Sequence, residues 1–334
     1  MQQNILITGG AGFIGSHLVN LMVEKYPNYN IINLDKLTYA ANIENIKVSD
    51  CKNYRFEKVD ICDKELVKNI FEKYNINNLI HLAAESHVDN SINSPSEFIQ
   101  TNIVGTANLL QVAYNFWFKK PQEVKIGYEK SKFLHISTDE VYGSLELDDD
   151  PFTEDSNYLP NSPYSASKSA SDMLVRSYSE TFAMNTNITH CSNNYGPHQH
   201  KEKLIPKTIY NALQNKSITV YGNGKNIRDW LFVEDHINAL DLIFHQGKSG
   251  EVYNIGGGVE LENIKIVNII CEKLQKITGK DYKHLIEFTE DRYGHDFRYA
   301  INCDKINNQL SYKISKSFED GIDLTIEHYL NLYR

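Results

Sequence analysis

The segment ITGGAGFIGSH, residues 7–17, decides the fold because it holds Gly10-Ala11-Gly12-Phe13-Ile14-Gly15. This G-x-G-x-x-G spacing follows a predicted strand, 4–8, and opens a predicted helix, 15–25. Glycines there let the backbone turn tightly and approach a pyrophosphate, which would rest on the N–H groups of the helix N-terminus. The motif favours a dinucleotide site over the alternative, a glycine-rich turn without a ligand.

Asp35 closes the second predicted strand, 31–35, twenty residues after Gly15. A carboxylate there accepts hydrogen bonds from the adenosine ribose and repels a 2′-phosphate. Asp60 and Ile61 follow the third strand, where an adenine ring is expected. The pattern therefore predicts NAD rather than NADP as the cofactor.

The first two hundred residues alternate short β-branched runs with longer amphipathic stretches, which is typical of βαβ units. The predicted strands are 4–8, 31–35, 54–60, 79–83, 133–138 and 187–192. The predicted helices are 15–25, 64–74, 98–116 and 166–182. We therefore expect an α/β fold with a doubly wound, Rossmann-type parallel sheet, and a polar surface loop at 119–132.

After about residue 195 the pattern loosens into segments that contain Pro, Gly and Asn, with further short strands at 230–233 and 251–255. We expect residues 1–195 to form an NAD-binding Rossmann domain with returning segments around 227–256. Residues 196–334 would form a smaller, mixed C-terminal domain.

The 334 residues carry 34 basic and 43 acidic side chains, a formal charge of −9, which is a poor match for a nucleic-acid-binding surface. Neither a signal peptide nor a membrane-spanning run is evident, so we expect a soluble, cytoplasmic protein. The five cysteines are scattered and lack a CxxC pair, so no metal site is predicted. His198 and His200 are interpreted as solvated loop histidines rather than a metal pair.

Tyr164 and Lys168 stand at i, i+4 spacing at the start of a predicted helix, which puts the phenol and the ammonium on one face. A free tyrosine has a pKa of about 10, so a base working near pH 7 needs about 4 kcal/mol of help from positive charge. Lys168 and a nicotinamide cation are candidate sources. The alternative is an ordinary surface helix.

Thr138, Asp139 and Glu140 follow a strand at its carboxyl end, where open α/β sheets place their active sites. Thr138 can hydrogen-bond a sugar hydroxyl beside Tyr164. Two adjacent carboxyl groups suit a reaction in which one donates a proton and the other accepts one. The alternative is a charged loop or a helix cap.

With these motifs, the chain resembles the extended short-chain dehydrogenase/reductases and, among them, the dTDP-glucose 4,6-dehydratase family. The resemblance extends over nearly the whole chain. It rests on ITGGAGFIGSH (7–17), LDKLTYAAN (34–42), HLAAESHVDNSI (81–92), STDEVYG (137–143), YSASK (164–168), CSNNYGP (191–197), KLIP (203–206), IRDWLFVEDH (227–236) and DRYGHDFRY (291–299).

The resemblance implies a lyase that converts dTDP-glucose to its 4-keto-6-deoxy product and water, as in dTDP-rhamnose synthesis, without consuming NAD. Tyr164 would take the C4 hydroxyl proton while a hydride passes to NAD. Glu140 would remove the C5 proton, Asp139 would protonate the departing C6 hydroxyl, and the hydride would return to C6. Thr138 and Lys168 would assist the oxidation.

Family NAD contacts correspond here to Gly9, Gly12, Phe13, Ile14, Gly15, Asp35, Lys36, Leu37, Thr38, Asp60, Ile61, Ala83, Ala84, Ser86, Thr101, Tyr164, Lys168 and Asn194. Family substrate contacts correspond to His87, Thr138, Asn193, Lys203, Leu204, Tyr221, Arg228, Asn263, Arg292 and His295. Arg228 and Arg292 would clamp the pyrophosphate, although either could be a surface arginine. Tyr293 stands where many relatives have proline, which leaves nucleotide selectivity open.

Four alternatives remain: a UDP-glucose dehydratase, a nucleotide-sugar decarboxylase, a 4-epimerase and an NAD-sensing regulator. The decarboxylase typically has serine where Asp139 stands, and the epimerase needs no carboxyl pair. The regulator predicts loss of Tyr164 or Lys168, and both are present. By resemblance, helices 98–116 and 166–182 would form a homodimer interface.

Overall fold

A seven-stranded parallel sheet organises the part of the chain that the computed structural model describes, residues 2–333. The strands are β1 (Gln3–Thr8), β2 (Tyr29–Leu34), β3 (Tyr54–Glu57), β4 (Asn78–His81), β5 (Phe118–Lys120), β6 (Glu123–Val124), β7 (Lys132–Thr138), β8 (Thr186–Cys191), β9 (Asn193–Tyr195), β10 (Ile218–Tyr221), β11 (Ile227–Phe232), β12 (Val252–Ile255), β13 (Glu260–Glu262) and β14 (Ile286–Thr289).

The helices alternate with these strands in the first half of the chain. They are α1 (Phe13–Lys25), α2 (Lys64–Tyr74), α3 (Val88–Asn93), α4 (Pro95–Phe98), α5 (Thr106–Trp117), α6 (Pro163–Phe182), α7 (Leu204–Leu213), α8 (Val233–Gln246), α9 (Asn263–Thr278), α10 (Asp304–Leu310) and α11 (Phe318–Tyr333). Short 3₁₀ turns cover Ile43–Asn45, Asp139–Tyr142 and Lys283–Leu285, and a π-helical turn covers Ile99–Gly105.

The strand order of the large sheet is β12-β8-β7-β4-β1-β2-β3, and every neighbouring pair is parallel. The chain runs outward from β1 through β2 to β3 and then returns to β4 on the other side of β1. Such a reversal opens a crevice at the carboxyl ends of the strands, where α/β proteins bind ligands. The predicted doubly wound fold is therefore confirmed.

Both faces of the sheet are covered. Ile5 and Ile7 of β1 pack into a cluster with α1 and α8, whereas Leu6, between them, packs into a cluster with α2, α5 and α6. Successive strand residues point to opposite faces, so these three apolar residues fill both cores. This two-sided burial explains why the strand reads as a continuous apolar run.

Most predicted elements differ from the structure by a few residues at their ends, and two segments differ in kind. The predicted helix 98–116 is interrupted by the π-helical turn, where Asn102 exchanges two hydrogen bonds with the backbone of Glu85. The predicted surface loop 119–132 overlaps the antiparallel hairpin of β5 and β6 and ends on the first residue of β7. Periodicity cannot predict either feature, since both depend on contacts between separate segments.

The last third of the chain builds a second core around α7, α9 and α11. β11 pairs with β9 and β13, and β10 pairs with β14. Residues 233–255 return to the large sheet, because α8 packs on α1 and β12 extends the sheet beside β8. The division at residue 195 stays a prediction, and its outer limits, Met1 and Arg334, lie outside the described residues.

A search of residues 2–333 found no helix with the length and apolar content needed to span a bilayer.

We predict that Trp117→Ala lowers the free energy of unfolding by about 3–5 kcal/mol. Trp117 is fully buried and donates its indole N–H to the Ile76 carbonyl at 2.8 Å, so truncation leaves a cavity and an unpaired acceptor. Denaturant titration measures the loss. Ile126→Ala is the control, because Ile126 is 89% exposed and should change stability by less than about 0.5 kcal/mol. Equal effects of the two variants would contradict the prediction.

Candidate active site

The glycine-rich turn brings backbone to the mouth of the cleft. Gly9 has a φ of +73° and donates its N–H to the Leu34 carbonyl at 2.8 Å, which ties the turn to β2. A Cβ on Gly15 would lie 2.1 Å from the Gly9 carbonyl oxygen, so no larger residue fits. The turn therefore presents the N-terminus of α1 to the cleft at close range, as an anionic phosphate requires.

Asp35 follows β2 and is fixed by two backbone donors. Its Oδ2 accepts from the Ala11 N–H at 3.0 Å and its Oδ1 accepts from the Leu37 N–H at 2.8 Å. Burial raises the pKa of this carboxyl group, and the two N–H donors oppose the rise. The side chain lines the cleft at the place predicted for a ribose-binding carboxylate.

A cleft of about 1550 Å³, including its open mouth, lies along the carboxyl edge of the sheet. The crevice expected at this edge of a doubly wound sheet is therefore present. The predicted cofactor residues that line it are Gly9, Gly12, Phe13, Ile14, Gly15, Asp35, Lys36, Thr38, Ile61, Ala83, Ala84, Ser86, Thr101, Tyr164, Lys168 and Asn194.

Two predicted cofactor residues, Leu37 and Asp60, are not among the lining residues. Leu37 adopts a φ of +58° and offers its N–H to Asp35. Asp60 accepts a hydrogen bond from the Cys62 N–H at 2.9 Å, and its Oδ2 lies 3.7 Å from the Lys36 ammonium. Both therefore support neighbours that line the cleft.

Helix α6 delivers Tyr164 and Lys168 to the end of β7. Ser162 and Ser165 form a reciprocal capping box and Pro163 occupies the first turn, which fixes where the helix begins. Tyr164 and Lys168 are both buried, and the Lys168 ammonium donates to the Ile136 carbonyl at 2.8 Å. The alternative of an ordinary surface helix is therefore wrong.

The protein by itself does not activate Tyr164. Burial raises the pKa of the phenol well above 10, and the nearby Glu140 raises it further. The Thr138 hydroxyl lowers it only in part. Burial also lowers the pKa of Lys168. A phenolate at this position therefore needs positive charge from a bound ligand.

Asp139 and Glu140 are adjacent in the chain but meet different charges. Burial, Glu140 and Asp229 together raise the pKa of Asp139 well above its usual range. Its Oδ2 has no hydrogen-bond partner among the described residues. Burial also raises the pKa of Glu140, but cationic side chains oppose the rise; these are Arg292, Arg228 and Lys203. Burial thus raises the pKa of both carboxyl groups, with carboxylates adding to the rise at Asp139 and cations opposing it at Glu140.

The predicted substrate residues lie partly in the cleft and partly at its far end. Thr138, Asn193 and Lys203 line the cleft itself. His87, Leu204, Tyr221, Arg228, Asn263, Arg292 and His295 do not.

Arg228 is a buried group, 5% exposed, rather than a surface arginine. It donates to the carbonyls of Ile227 and Asp296 at 2.7 and 2.9 Å and lies over the Tyr299 ring. Arg292 and Tyr221 both contact Asp89, at 3.4 and 3.2 Å.

His198 and His200 lie in a loop and are both partly exposed, and each also contacts neighbouring side chains. His198 packs against His17 and His328, and burial lowers its pKa to about 4. His200 lines the cleft, with its Nδ1 3.4 Å from Glu202. Residues 2–333 hold no cluster of three or more His, Cys, Asp or Glu side chains able to bind a metal.

Sequence reasoning missed several residues of the cleft and its floor. Four residues line the cleft although the sequence did not predict them as cofactor or substrate contacts: Glu85, Gln199, His200 and Glu202. Asp172 lies buried four residues after Lys168. Its i, i+4 spacing from Lys168 is the only local signal, and it gains meaning only when the partners from other strands are known.

Comparisons with known proteins agree with this geometry. Residues 6–325 match the model of the GDP-mannose 4,6 dehydratase family. The chain is 48% identical over 334 residues to a dTDP-glucose 4,6-dehydratase of Haemophilus influenzae, with 98% of each chain covered.

Solved structures give the same result. A dTDP-glucose 4,6-dehydratase of Streptomyces venezuelae, crystallised with NAD and TYD bound, is 40% identical with a TM-score of 0.89. One from Bacillus anthracis, in complex with NAD, is 42% identical with a TM-score of 0.86. In both cases the alignment covers 98% of this chain and 97% of the other.

We predict that Gly15→Ala weakens NAD binding at least tenfold, because the added Cβ would collide with the Gly9 carbonyl and displace the turn. Isothermal titration calorimetry measures the affinity. Gly279→Ala is the matched control: Gly279 has a φ of +75° and nothing within 4 Å of an added Cβ. It should lose about 1 kcal/mol of stability and keep its NAD affinity. An unchanged NAD affinity in Gly15→Ala would contradict the proposed role of the glycine turn in NAD binding.

Proposed function

Since the chain belongs to the NAD-dependent dTDP-glucose 4,6-dehydratases, we propose that Thr138, Asp139, Glu140, Tyr164 and Lys168 carry out that reaction in the cleft described above. The enzyme is a hydro-lyase that removes water from dTDP-glucose with NAD as its cofactor. The observation that carries the assignment of roles is the pair of adjacent carboxyl groups after β7, a buried Asp139 and a half-buried Glu140, which face different neighbouring charges.

The residues present fit NAD. A Cβ on Gly9 or Gly15 would collide with backbone atoms, so glycine is needed for the tight turn that brings the N-terminus of α1 to the cleft, and two backbone N–H groups hold Asp35 beside it. When bound, NAD supplies the acceptor for the C4 hydrogen and returns that hydrogen at C6. The positive nicotinamide also supplies the charge that Tyr164 needs.

Tyr164 takes the proton of the C4 hydroxyl as the C4 hydrogen leaves, and the product of this step is a 4-ketosugar. Thr138 holds the same hydroxyl, and Lys168 adds its charge beneath the phenol. The new ketone acidifies the C5 proton. Burial keeps water away from all three side chains, so the charges act at close range in a low dielectric.

Glu140 then takes the C5 proton, and Asp139 gives its own proton to the C6 hydroxyl, which leaves as water. The proton on Glu140 returns to C5 when hydrogen is delivered to C6. The proton that Tyr164 took from the C4 hydroxyl is released to solvent, and Asp139 regains from solvent the proton that it gave to the leaving water, so the enzyme returns to its starting state. The two environments support this assignment of roles, since burial and neighbouring carboxylates raise the pKa of Asp139, which favours its acid form, while cations oppose the rise at Glu140. Because only the protonated acid works, activity should fall as the pH rises through the raised pKa of Asp139.

We assign the sugar nucleotide to residues at the far end of the cleft, in the 196–334 unit and the segment around His87. Lys203, Arg228 and Arg292 would face the diphosphate. Arg228 already spends two donors on backbone carbonyls, so it would act mainly through its fixed charge. Arg292 and Tyr221 would give up their contacts with Asp89 and contact the ligand instead. His87, Asn193, Leu204, Asn263 and His295 complete the proposed contacts.

We also propose a homodimer formed through the Ile99–Gly105 turn and α6. These neighbouring elements expose Ile99, Val104 and Met173 at 52, 37 and 47%. Sedimentation at the mass of one chain would contradict the dimer.

A cytoplasmic location is supported by five free thiols, which suit a reducing compartment. Cell fractionation tests this location.

The first experiment is mass spectrometry of the protein incubated separately with dTDP-glucose and UDP-glucose, with NAD supplied. We expect the loss of one water from dTDP-glucose and little from UDP-glucose. A preference for UDP-glucose would keep the chemistry and overturn the nucleotide. No water loss from either substrate would overturn the function.

We predict that Glu140→Gln slows water loss at least a hundredfold while oxidation at C4 continues, because the C5 proton then has no acceptor. Quenching with borodeuteride and mass spectrometry should find a labelled hexose that retains its C6 oxygen. Tyr164→Phe should give neither this species nor the product. Glu180→Gln, on the exposed face of α6, is the control and should behave like the parent. Normal turnover of Glu140→Gln would place the base elsewhere.

A further inference from the structure

A cluster of polar groups lies buried beneath the catalytic helix. Asp172, one turn after Lys168 on α6, has no exposed surface, and neither do His135 of β7 and His190 of β8. Ser137 of β7 donates to Asp172 Oδ2 at 2.9 Å, and His190 Nε2 lies 3.1 Å from the same oxygen. His135 Nε2 lies 3.1 Å from Asp172 Oδ1. One carboxylate therefore joins α6 to two neighbouring strands of the sheet.

The contacts of this carboxylate adjoin the residues proposed for catalysis. Ser137 directly precedes Thr138, and Lys168 contacts the carbonyl of Ile136 on the same strand. Tyr164, Lys168 and Asp172 repeat at i, i+4 and i+8, so they share one face of α6. A shift of α6 along β7 would move the phenol and the ammonium together relative to Thr138.

We propose that Asp172 is a positioning residue whose carboxylate locks α6 against β7 and β8 and supplies the counter-charge that keeps Lys168 an ammonium beneath the phenol of Tyr164. This inference deepens the proposed function and rests on it. It adds a buried residue that does not line the cleft and acts through Lys168 and Tyr164.

The charges around the cluster support this role. Burial alone would raise the pKa of Asp172, but the imidazoles of His135 and His190 outweigh it and hold that pKa well below its usual range. Burial lowers the pKa of Lys168, and Asp172 opposes the fall. The carboxylate is therefore ionised, and its charge favours the protonated lysine.

Other titratable groups face Lys168 and Asp172 from every packed element. The groups close to one or both are His81 of β4, His135 of β7, His190 and Cys191 of β8, Tyr142 of the following turn and Tyr158 of the next loop. Asp139, Glu140 and Tyr164 line the same cleft as Lys168. Burial lowers the pKa of His135 to about 4 and raises that of Cys191 to about 12, so neither changes charge between pH 5 and 10.

The test measures the titration of the Lys168 ammonium directly. Protein labelled with ¹³Cε-lysine and free of NAD is titrated by NMR, and Lys168→Met identifies the signal. Asp172→Asn should move the Lys168 inflection about one pH unit lower, the size expected for one charge at i, i+4 spacing in a protein interior. Asp172→Glu, which restores the charge, should bring the inflection back towards the parent value.

Asp235→Asn is the matched control. Asp235 is another buried carboxylate, 1% exposed, and it accepts a hydrogen bond from the Ser315 N–H at 2.8 Å, away from Lys168. It should lower the melting temperature and leave the Lys168 inflection in place. An inflection in Asp172→Asn that matches the parent, or an equal shift in Asp235→Asn, would overturn the proposal.

Kinetics supply the second readout. Asp139 also gives kcat an alkaline limb, so the limb that belongs to Lys168 is the one whose midpoint matches the NMR inflection. In Asp172→Asn that limb should move down by the same amount as the inflection, with KM for dTDP-glucose changed less than threefold. A uniform loss of kcat at every pH, in step with the melting temperature, would mean a merely structural role and would overturn the proposal.

If Asp172→Asn does not fold, Ser137→Ala is the second variant, because it removes one hydrogen-bond donor to Asp172 and keeps the charge. Its kcat should fall severalfold while Lys168 titrates as in the parent. A parental kcat would overturn the proposal. The NMR titration does not depend on turnover, so an inactive parent would count against the proposed function alone.

Discussion

Burial of charge between α6 and the sheet is the constraint on which the active site depends. Lys168 and Asp172 enter an interior where neither reaches water, and a buried charge without partners would cost several kcal/mol. The ammonium is satisfied by the Ile136 carbonyl, and the carboxylate lies against Ser137, His135 and His190. These partners belong to β7 and β8, so satisfying the charges also fixes the helix. Tyr164 lies one turn earlier on the same helix, so these contacts fix its position as well.

The same interior makes two equal carboxyl groups unequal. In water Asp139 and Glu140 would both be ionised near pH 7. In the cleft, Asp139 meets Glu140 and Asp229, whereas Glu140 is opposed by Arg292, Arg228 and Lys203. A 4-ketosugar needs both a base at C5 and an acid at C6, and a 4-epimerase needs neither. The different charges around Asp139 and Glu140 therefore suit dehydration better than epimerisation.

The sheet order connects the two ends of the cleft. Because β1, β4 and β7 are parallel neighbours, the glycine turn after β1 and the catalytic turn after β7 lie at the same edge of the sheet. β12 and α8 return to this sheet from the last third of the chain, so the sugar-nucleotide end is anchored to the cofactor end. Asp89 extends this link, since it contacts both Tyr221 and Arg292.

The sequence by itself determined the βαβ order, the glycine turn, the place of Asp35 and the shared face of Tyr164 and Lys168. These features depend on residues close together in the chain, where spacing and the absence of a Cβ act directly. Only the tertiary structure decided that helix 98–116 is broken, that Leu37 and Asp60 support rather than line the cleft, that Arg228 is buried and that Asp172 underlies the catalytic pair. It also showed that carboxylates lie near Asp139, whereas Arg292 and Lys203 lie near Glu140. Each of these depends on burial or on a partner from a distant segment, and spacing along the chain contains neither.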